Sequence, residues 1–266
     1  MQLDILGTIK IDNQERKQHL LHNLCSMEPI LPLLRWRLNI VGQFAQFAKA
    51  EIAKRCPEWI TTDNNTPTYH LQRAQMNALS KDAWVFMWQE DHWFLCPHVN
   101  LFLYLLGQAA KLDVDVLTVT HMTTSWTNKR WLDVIEDNPL YTVYEVNEKT
   151  QARVWEKHPG GYLSGVPAIY RWRFANTVLE FKKAHMSSTT KPEFELSPGW
   201  GERFLKQHSF TEMIPKFHVF REVFSANKHP RSVSMANALK WLELRETGDI
   251  FGGHPGNYRA DRQDNV

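Results

Sequence analysis

Trp84-Val85-Phe86-Met87-Trp88-Gln89-Glu90-Asp91-His92 passes from five apolar residues straight into an acidic turn. An unbroken apolar run of this length reads as a strand buried on both faces, the kind found in parallel sheets. Acidic side chains at the end of such a strand do nothing for packing, and a carboxylate buried without a partner is expensive. In a doubly wound sheet, however, the carboxyl ends of the strands are where a ligand sits. Two carboxylates and an imidazole on consecutive residues are donors suited to Mg²⁺ or Mn²⁺. An ion there would offset the charge of a diphosphate. The other reading, a surface turn whose acids face water, stays open at this point.

Working outward from that turn, strand and helix patterns alternate. Leu3 to Ile11 is a β-rich run, and Gln14 to Met27 places Leu20, Leu21 and Leu24 on one helical face. Trp36 to Val41 reads as a second strand, stopped by Gly42. Gln43 to Arg55 reads as a helix with Phe44, Phe47, Ala48 and Ile52 inward, and Trp59 to Thr62 as a short third strand. Thr66-Pro67 opens a helix to about Ser80, with proline tolerated in its first turn. After Trp84 to Trp88, Pro97 starts a helix through Ala110, and Val114 to Thr120 is a further strand. This alternation predicts an α/β fold, a mostly parallel sheet with helices on both faces. The last third is less regular, with helices expected at Tyr170 to His185, Trp200 to His208 and Ser232 to Arg245. Ser187 to Pro198 reads as a loop, and residues 251–266 as a polar tail.

Composition narrows the class. At 266 residues the chain is long enough to bury a full core without staples. The formal charge of +2 carries no basic bias of the kind nucleic-acid proteins show, so no nucleic acid is expected as partner. Three cysteines, Cys25, Cys56 and Cys96, are odd in number and widely spaced, which speaks against a disulfide framework and for a reducing setting. The opening residues lack a secretion-signal pattern, and no run of 18 apolar residues offers a membrane span. A cytoplasmic location is expected, with peripheral contact on the inner face of a membrane left open. Eleven tryptophans are many for this length, and such rings serve both cores and sugar-stacking clefts.

The strand ending in Glu90-Asp91-His92 resembles the acidic DXD element of GT-A fold, family 2-like glycosyltransferases. The start of the chain is similar as well. Ile9-Lys10-Ile11 is followed by Arg16, Leu20, Leu24 and Ser26, in the manner of the family's first strand, polar turn and helix. Gly160-Gly161-Tyr162-Leu163-Ser164-Gly165, then Tyr170-Arg171, is similar to the acceptor-side loop that leads into a helix near an arginine. The likeness spans roughly Leu3 to Phe181. Two departures stand out: the family's last acidic position falls on His92, or on Asp91 with a shifted register, and Asn39 to Gln43 replaces the usual Asp-Gly-Ser after the second strand.

The resemblance implies one GT-A-like (Rossmann-type) domain over 1–266, with a nucleotide-sugar half at about 1–120 and an acceptor half at about 121–250. It implies transfer of a sugar from a nucleoside diphosphate sugar to a glycan or lipid-linked hydroxyl acceptor, of the hexosyltransferase, inverting kind, in polysaccharide biosynthesis. Mn²⁺ or Mg²⁺ would be held by Asp91, His92 and the late His218. Glu90, Ser164 and Arg171 would bind substrate, and Trp200 would stack on the acceptor sugar. Glu202, after Ser197-Pro198-Gly199-Trp200-Gly201, would be the general base beside Asp91. As a plain sequence feature, Glu202 also suits the first turn of a helix, where the dipole favours a carboxylate.

Other constellations are poorer. No Walker-type loop, no G-x-G-x-x-G after the first strand and no HExxH occur, and Gly161 to Gly165 lacks nucleophile-elbow spacing. His121 to Trp126 follows a strand and is expected to line the cleft or cap a helix. Lys216 to Arg221 and Lys228 to Arg231 could face a diphosphate or an anionic acceptor. Two alternatives stand beside the transferase: a non-catalytic glycan- or protein-binding module on a degenerate fold, and a nucleotidyltransferase, whose first loop is ordinarily Gly-rich where Thr8 to Glu15 is not.

Overall fold

The computed structural model describes residues 3–55, 60–61, 68–96, 98–119, 131–157, 168–185, 196, 198–217, 219–224 and 233–247. Strand β1 (Leu3–Lys10) leads through Asn13 into α1 (Gln14–Met27), and a 3-10 helix (Glu28–Leu33) feeds β2 (Leu34–Val41). Then come α2 (Ala45–Ala53), β3 (Ile60–Thr61), α3 (Thr68–Asn77), β4 (Trp84–Met87), β5 (His92–Phe94), α4 (Val99–Lys111) and β6 (Val116–Thr118). The second half supplies β7 (Asp133–Asp137), β8 (Tyr141–Val146), α5 (Glu148–Lys157), β9 (Ala168–Arg171), α6 (Trp172–His185) and α7 (Pro198–Leu205). It closes with β10 (Phe210–Pro215), β11 (Phe220–Phe224), β12 (Val233–Ser234) and α8 (Met235–Thr247).

Among the described residues, nine strands form one sheet in the order β3-β2-β1-β4-β9-β6-β10-β8-β7. β8 and β9 run against the other seven, so the expected mostly parallel α/β sheet is present. Alternation along the strands sends side chains to two faces, and each face carries its own apolar core. On one face Ile5, Trp36, Phe86, Trp88 and Ile169 meet Leu20 and Leu24 of α1, Ile52 of α2 and Phe102 of α4. On the other, Leu6, Val85, Met87 and Tyr170 meet Met76 of α3, Val154 of α5, Phe174 of α6 and Phe204 of α7. Helices therefore cover both sides. No helix among the described residues is long and apolar enough to cross a membrane.

The structure corrects the reading of the second half. Tyr170 and Arg171 were expected to open a helix, but they end β9, and the helix starts at Trp172. Ala168 to Tyr170 is buried on both faces between β4 and β6, and a β-branched and an aromatic side chain there favour extended backbone. β5, the hairpin of β7 and β8, α5 and β10 were not read from the sequence at all. A small second sheet, β12-β11-β5, packs with α8 around Trp93, Leu95, Val223 and Leu242.

Two local devices fix the carboxyl end of the sheet. The side chain of Asn13 caps α1 by accepting from the backbone N–H of Arg16 at 2.8 Å. Gly42, just past β2, has φ of +100°, and a Cβ there would lie 2.6 Å from the carbonyl oxygen of Ile11. That oxygen accepts from the N–H of Phe44 at 2.9 Å, so it is not free to retreat. Gly42→Ala is expected to lower stability by about 1–3 kcal/mol from backbone strain alone. A urea melt checks this, and an unchanged midpoint would remove the steric argument.

Candidate functional site

The site is the corner where the sheet order reverses. From β1 the chain moves to β2 on one side, whereas β4 lies on the other, so the carboxyl ends of β1 and β4 are the switch point at which doubly wound sheets hold ligands. The two exits are drawn together by backbone contact. The N–H of Trp88 donates to the carbonyl of Leu6 at 3.3 Å, and a Cβ on Gly7 would come within 3.1 Å of the Trp88 oxygen.

The acidic turn closes over this corner and faces α1. Arg16 donates to the carbonyl of Lys10 at 2.7 Å and pairs with Glu90 at 2.9 Å, while 42% of its own side chain stays exposed. The Glu90 side chain is only 5% exposed. Burial first, and then the neighbouring Asp91 charge, push its carboxyl above the usual range, against the pull of Arg16. Asp91 is about a quarter exposed, and its Oδ1 lies 2.7 Å from Nδ1 of the buried His92. The two atoms touch without the alignment of a full hydrogen bond. Burial opposes ionisation of Asp91, but the His92 imidazole and Arg16 outweigh it and hold the carboxyl below its usual value. His19, buried one turn beyond Arg16, is held below the usual imidazole range by desolvation, against the attraction of Asp91.

On the opposite face, beneath α3, lies a second set of polar atoms. Thr8 and Asn39 are register partners near the ends of β1 and β2. Met76 of α3 packs into the same core as Leu6. One helical turn above Met76, roughly 6 Å, comes Gln72. Two strand residues above Leu6, roughly 6.6 Å, comes Thr8. The hydroxyl of Thr8, the carbonyl of the Gln72 amide and both ends of the Gln75 amide are buried without a hydrogen-bond partner among the described residues. Buried polar atoms left this way are costly, so such a group calls for an explanation.

The sequence-derived residues separate on this framework. Glu90, Asp91 and His92 are brought together at the switch point. Arg171 is not brought to them. It pairs with Trp84 at the start of β4, roughly 17 Å along an extended chain from the turn. There it donates to the carbonyl of Ala110 at 3.0 Å, pairs with Asp113 at 3.2 Å and lies over the Trp84 ring. Trp200 and Glu202 are on α7, in the helix layer across the sheet from α1. Trp200 is half-buried against the edge of Phe181, and Glu202 is exposed. Ser164, His218, His121 to Trp126 and Lys228 to Arg231 lie outside the described residues. Among the described residues no group of three or more His, Cys, Asp or Glu could hold a metal ion.

Thr8, Asn23, Gln72 and Gln75 escaped the sequence reading. Gln72 and Gln75 were legible in principle. They share the inward stripe of α3 with Leu71 and Met76, and an amide on an apolar stripe is an anomaly.

No protein-family model matches the sequence, and no curated protein matches it. Among solved structures the chain is similar to S. aureus TarS 1-349, with a TM-score of 0.47 at 7% identity over 94% of this chain and 66% of that one. The same protein in complex with UDP-GlcNAc gives 0.47 at 9% identity, over 94% and 67%. The 4-diphosphocytidyl-2C-methyl-D-erythritol synthase of Anaerococcus prevotii gives 0.42 at 11% identity, over 92% and 98%. The chain thus spans about two thirds of the length of the TarS fragment. Likenesses this distant do not bear on the chemistry of the site.

Proposed function

We propose that the protein is a glycosyltransferase that uses a nucleoside diphosphate sugar. The observation that supports it is the switch-point corner itself, where a half-exposed guanidinium, Arg16, is pinned between a strand carbonyl and a buried acidic turn. A diphosphate fits a planar, permanently charged group that offers several donors. In this reading Arg16 stabilises the charge that develops on the departing diphosphate, an electrostatic role in a partly dry site. The carbonyl of Gln72, the amide of Gln75 and the hydroxyl of Thr8, without a partner among the described residues, supply both donors and acceptors, which suits the imide edge of a uracil ring.

The reaction step balances as a displacement. The acceptor oxygen forms a bond to the anomeric carbon as the bond to the diphosphate oxygen breaks. The electron pair leaves on the diphosphate, and the acceptor proton passes to a carboxylate. Glu202 is the proposed base, with Trp200 as the acceptor's stacking surface. The division into a donor half, about 1–120, and an acceptor half, about 121–250, belongs to the same proposal. Asp91 and His92 offer two donors to Mn²⁺ or Mg²⁺, and the described residues add no third. No step is therefore routed through an ion.

Thermal melts with a panel of nucleoside diphosphates and their sugars, each with and without Mn²⁺ and Mg²⁺, test the reading. UDP and UDP-sugars are expected to stabilise the fold, by about 2.7 kcal/mol at 100 times Kd. Arg16→Ala is expected to weaken UDP binding about 10–100-fold, the scale of one charge-assisted contact. A flat response to every nucleotide, with and without metal, would leave the binding-module alternative in its place.

A further inference from the structure

One face of α1 carries Arg16, His19, Asn23 and Ser26, spaced by three, four and three residues, so all four lie on a single helical stripe. The stripe faces the acidic turn and β5. Arg16 holds Glu90, and His19 meets the Trp93 ring edge-on at 6.1 Å. Ser26 accepts from the N–H of Phe94 at 2.9 Å. Between them stands Asn23, fully buried, with its amide nitrogen 3.2 Å from the carbonyl oxygen of Gln89, 2.9 Å from that of Glu90 and 2.9 Å from that of His92.

Three carbonyls converge on a group that has two hydrogens to give. Each carbonyl belongs to a rigid peptide plane. Fixing the oxygens of Gln89 and Glu90 fixes both planes that flank Glu90, the second of which is the one that enters Asp91. The N–H of His92 then closes the turn by donating to the Gln89 carbonyl at 3.2 Å, and the N–H of Val223 in β11 grips the Asp91 carbonyl at 2.8 Å. The carbonyls of Gln89, Glu90 and His92 thus rest on Asn23, and that of Asp91 on β11. Both supports are buried.

We propose that Asn23 is a positioning residue of the reaction centre: its amide sets the backbone of residues 89–92 and thereby the direction in which Asp91 enters the cleft. The proposal rests on reading that turn as the centre of a transferase. Ser26 is the natural control, because it holds β5 beyond the turn and orients neither carboxylate. A displacement of about 1 Å at a reacting group can cost about 100-fold in rate. Asn23→Ala is therefore expected to lower kcat about 10–100-fold with donor KM within about twofold. Ser26→Ala should lower Tm and leave kcat near that of the parent.

The experiment compares Asn23→Ala, Asn23→Ser and Ser26→Ala in the full chain, by melting, by turnover of a UDP-sugar and by backbone amide exchange over residues 88–95. Asn23→Ser keeps one donor on a shorter stem, and the same ordering is expected from it at smaller size; it also serves where the alanine variant is not recovered folded. Exchange in that segment should rise at least about tenfold in Asn23→Ala, while the strands of the large sheet exchange as before. Equal loss of kcat in Asn23→Ala and Ser26→Ala, in proportion to Tm, would reduce Asn23 to a structural contact. So would undisturbed exchange over 88–95. If the parent turns over no nucleotide sugar, the transferase reading fails first, and the exchange measurement still decides whether Asn23 sets the turn.

Discussion

Asp91→Asn is expected to lower turnover of the nucleotide sugar by about 10²–10³-fold, the scale of one charged group lost beside the reacting atoms, and to leave the fold intact. The substitution keeps the shape of the side chain and deletes only its charge. That charge is present at neutral pH, because His92 and Arg16 hold the carboxyl below its usual range despite burial. Two effects on stability oppose each other: the fold favours Asp91 charged, and that contribution is lost, while Glu90 is relieved of a buried like-charge neighbour. Melting of the variant within about 2 °C of the parent, with kcat/KM down by the stated factor, is the outcome that supports a chemical role. Full turnover in Asp91→Asn would return the turn to the status of a buried brace. Glu202→Gln, measured beside it, separates the two carboxylates. A base gives a loss of similar size in kcat, whereas an exposed carboxylate past the first turn of α7, which starts at Pro198, changes stability by no more than about 0.5 kcal/mol and leaves rate untouched.

The readable part of this molecule was its first half, for a physical reason. Strands and helices there mostly alternate, β1, β2 and β4 lie inside the large sheet, and their connections are local, so hydrophobic period alone separates them. Gln14 to Met27 came out residue for residue: Leu20, Leu21 and Leu24 marked one helical face, and in the structure Leu20 and Leu24 are buried while Leu21 is at its edge. The second half is read by long-range pairing. β9 is four residues that make sense as a strand only once β4 and β6 flank it. β5 is three residues held by β11, some 130 positions later in the chain.

The site followed the same division. An acidic turn after an apolar strand is a local anomaly and was visible. Its partners were not: Asn23 sits 66 residues before the first carbonyl it holds. Arg171 shows the converse. A lone arginine after a glycine-rich stretch looks free in sequence, but the fold places it beside Asp113, the Ala110 carbonyl and the Trp84 ring.

Phe220→Ala carries the largest expected loss of stability, about 3–5 kcal/mol. The side chain is fully buried where the two sheets meet. Its ring lies 4.7 Å from Phe86 of β4, 5.3 Å from Phe94 of β5 and 6.2 Å from Phe102 of α4. These tilted and edge-on contacts add to plain burial, by about 0.5–1.5 kcal/mol for a pair. For a chain of this length the loss corresponds to a fall in Tm of roughly 6–20 °C. Leu103→Ala, at a position 38% exposed on α4, should change stability by no more than about 0.5 kcal/mol and serves as the comparison. The consequence reaches the site through backbone. β11 is held to the large core by Phe220, whose N–H donates to the Val119 carbonyl at 2.8 Å, and β11 in turn grips Asp91 through Val223. Loosening that strand should weaken UDP binding in Phe220→Ala under conditions where the variant is still folded, whereas Leu103→Ala binds as the parent does. A double variant with Phe94→Ala then measures the link. A coupling of about 0.5–1.5 kcal/mol is expected if the two rings act together, and strict additivity would show that the small sheet and the acidic turn are anchored independently.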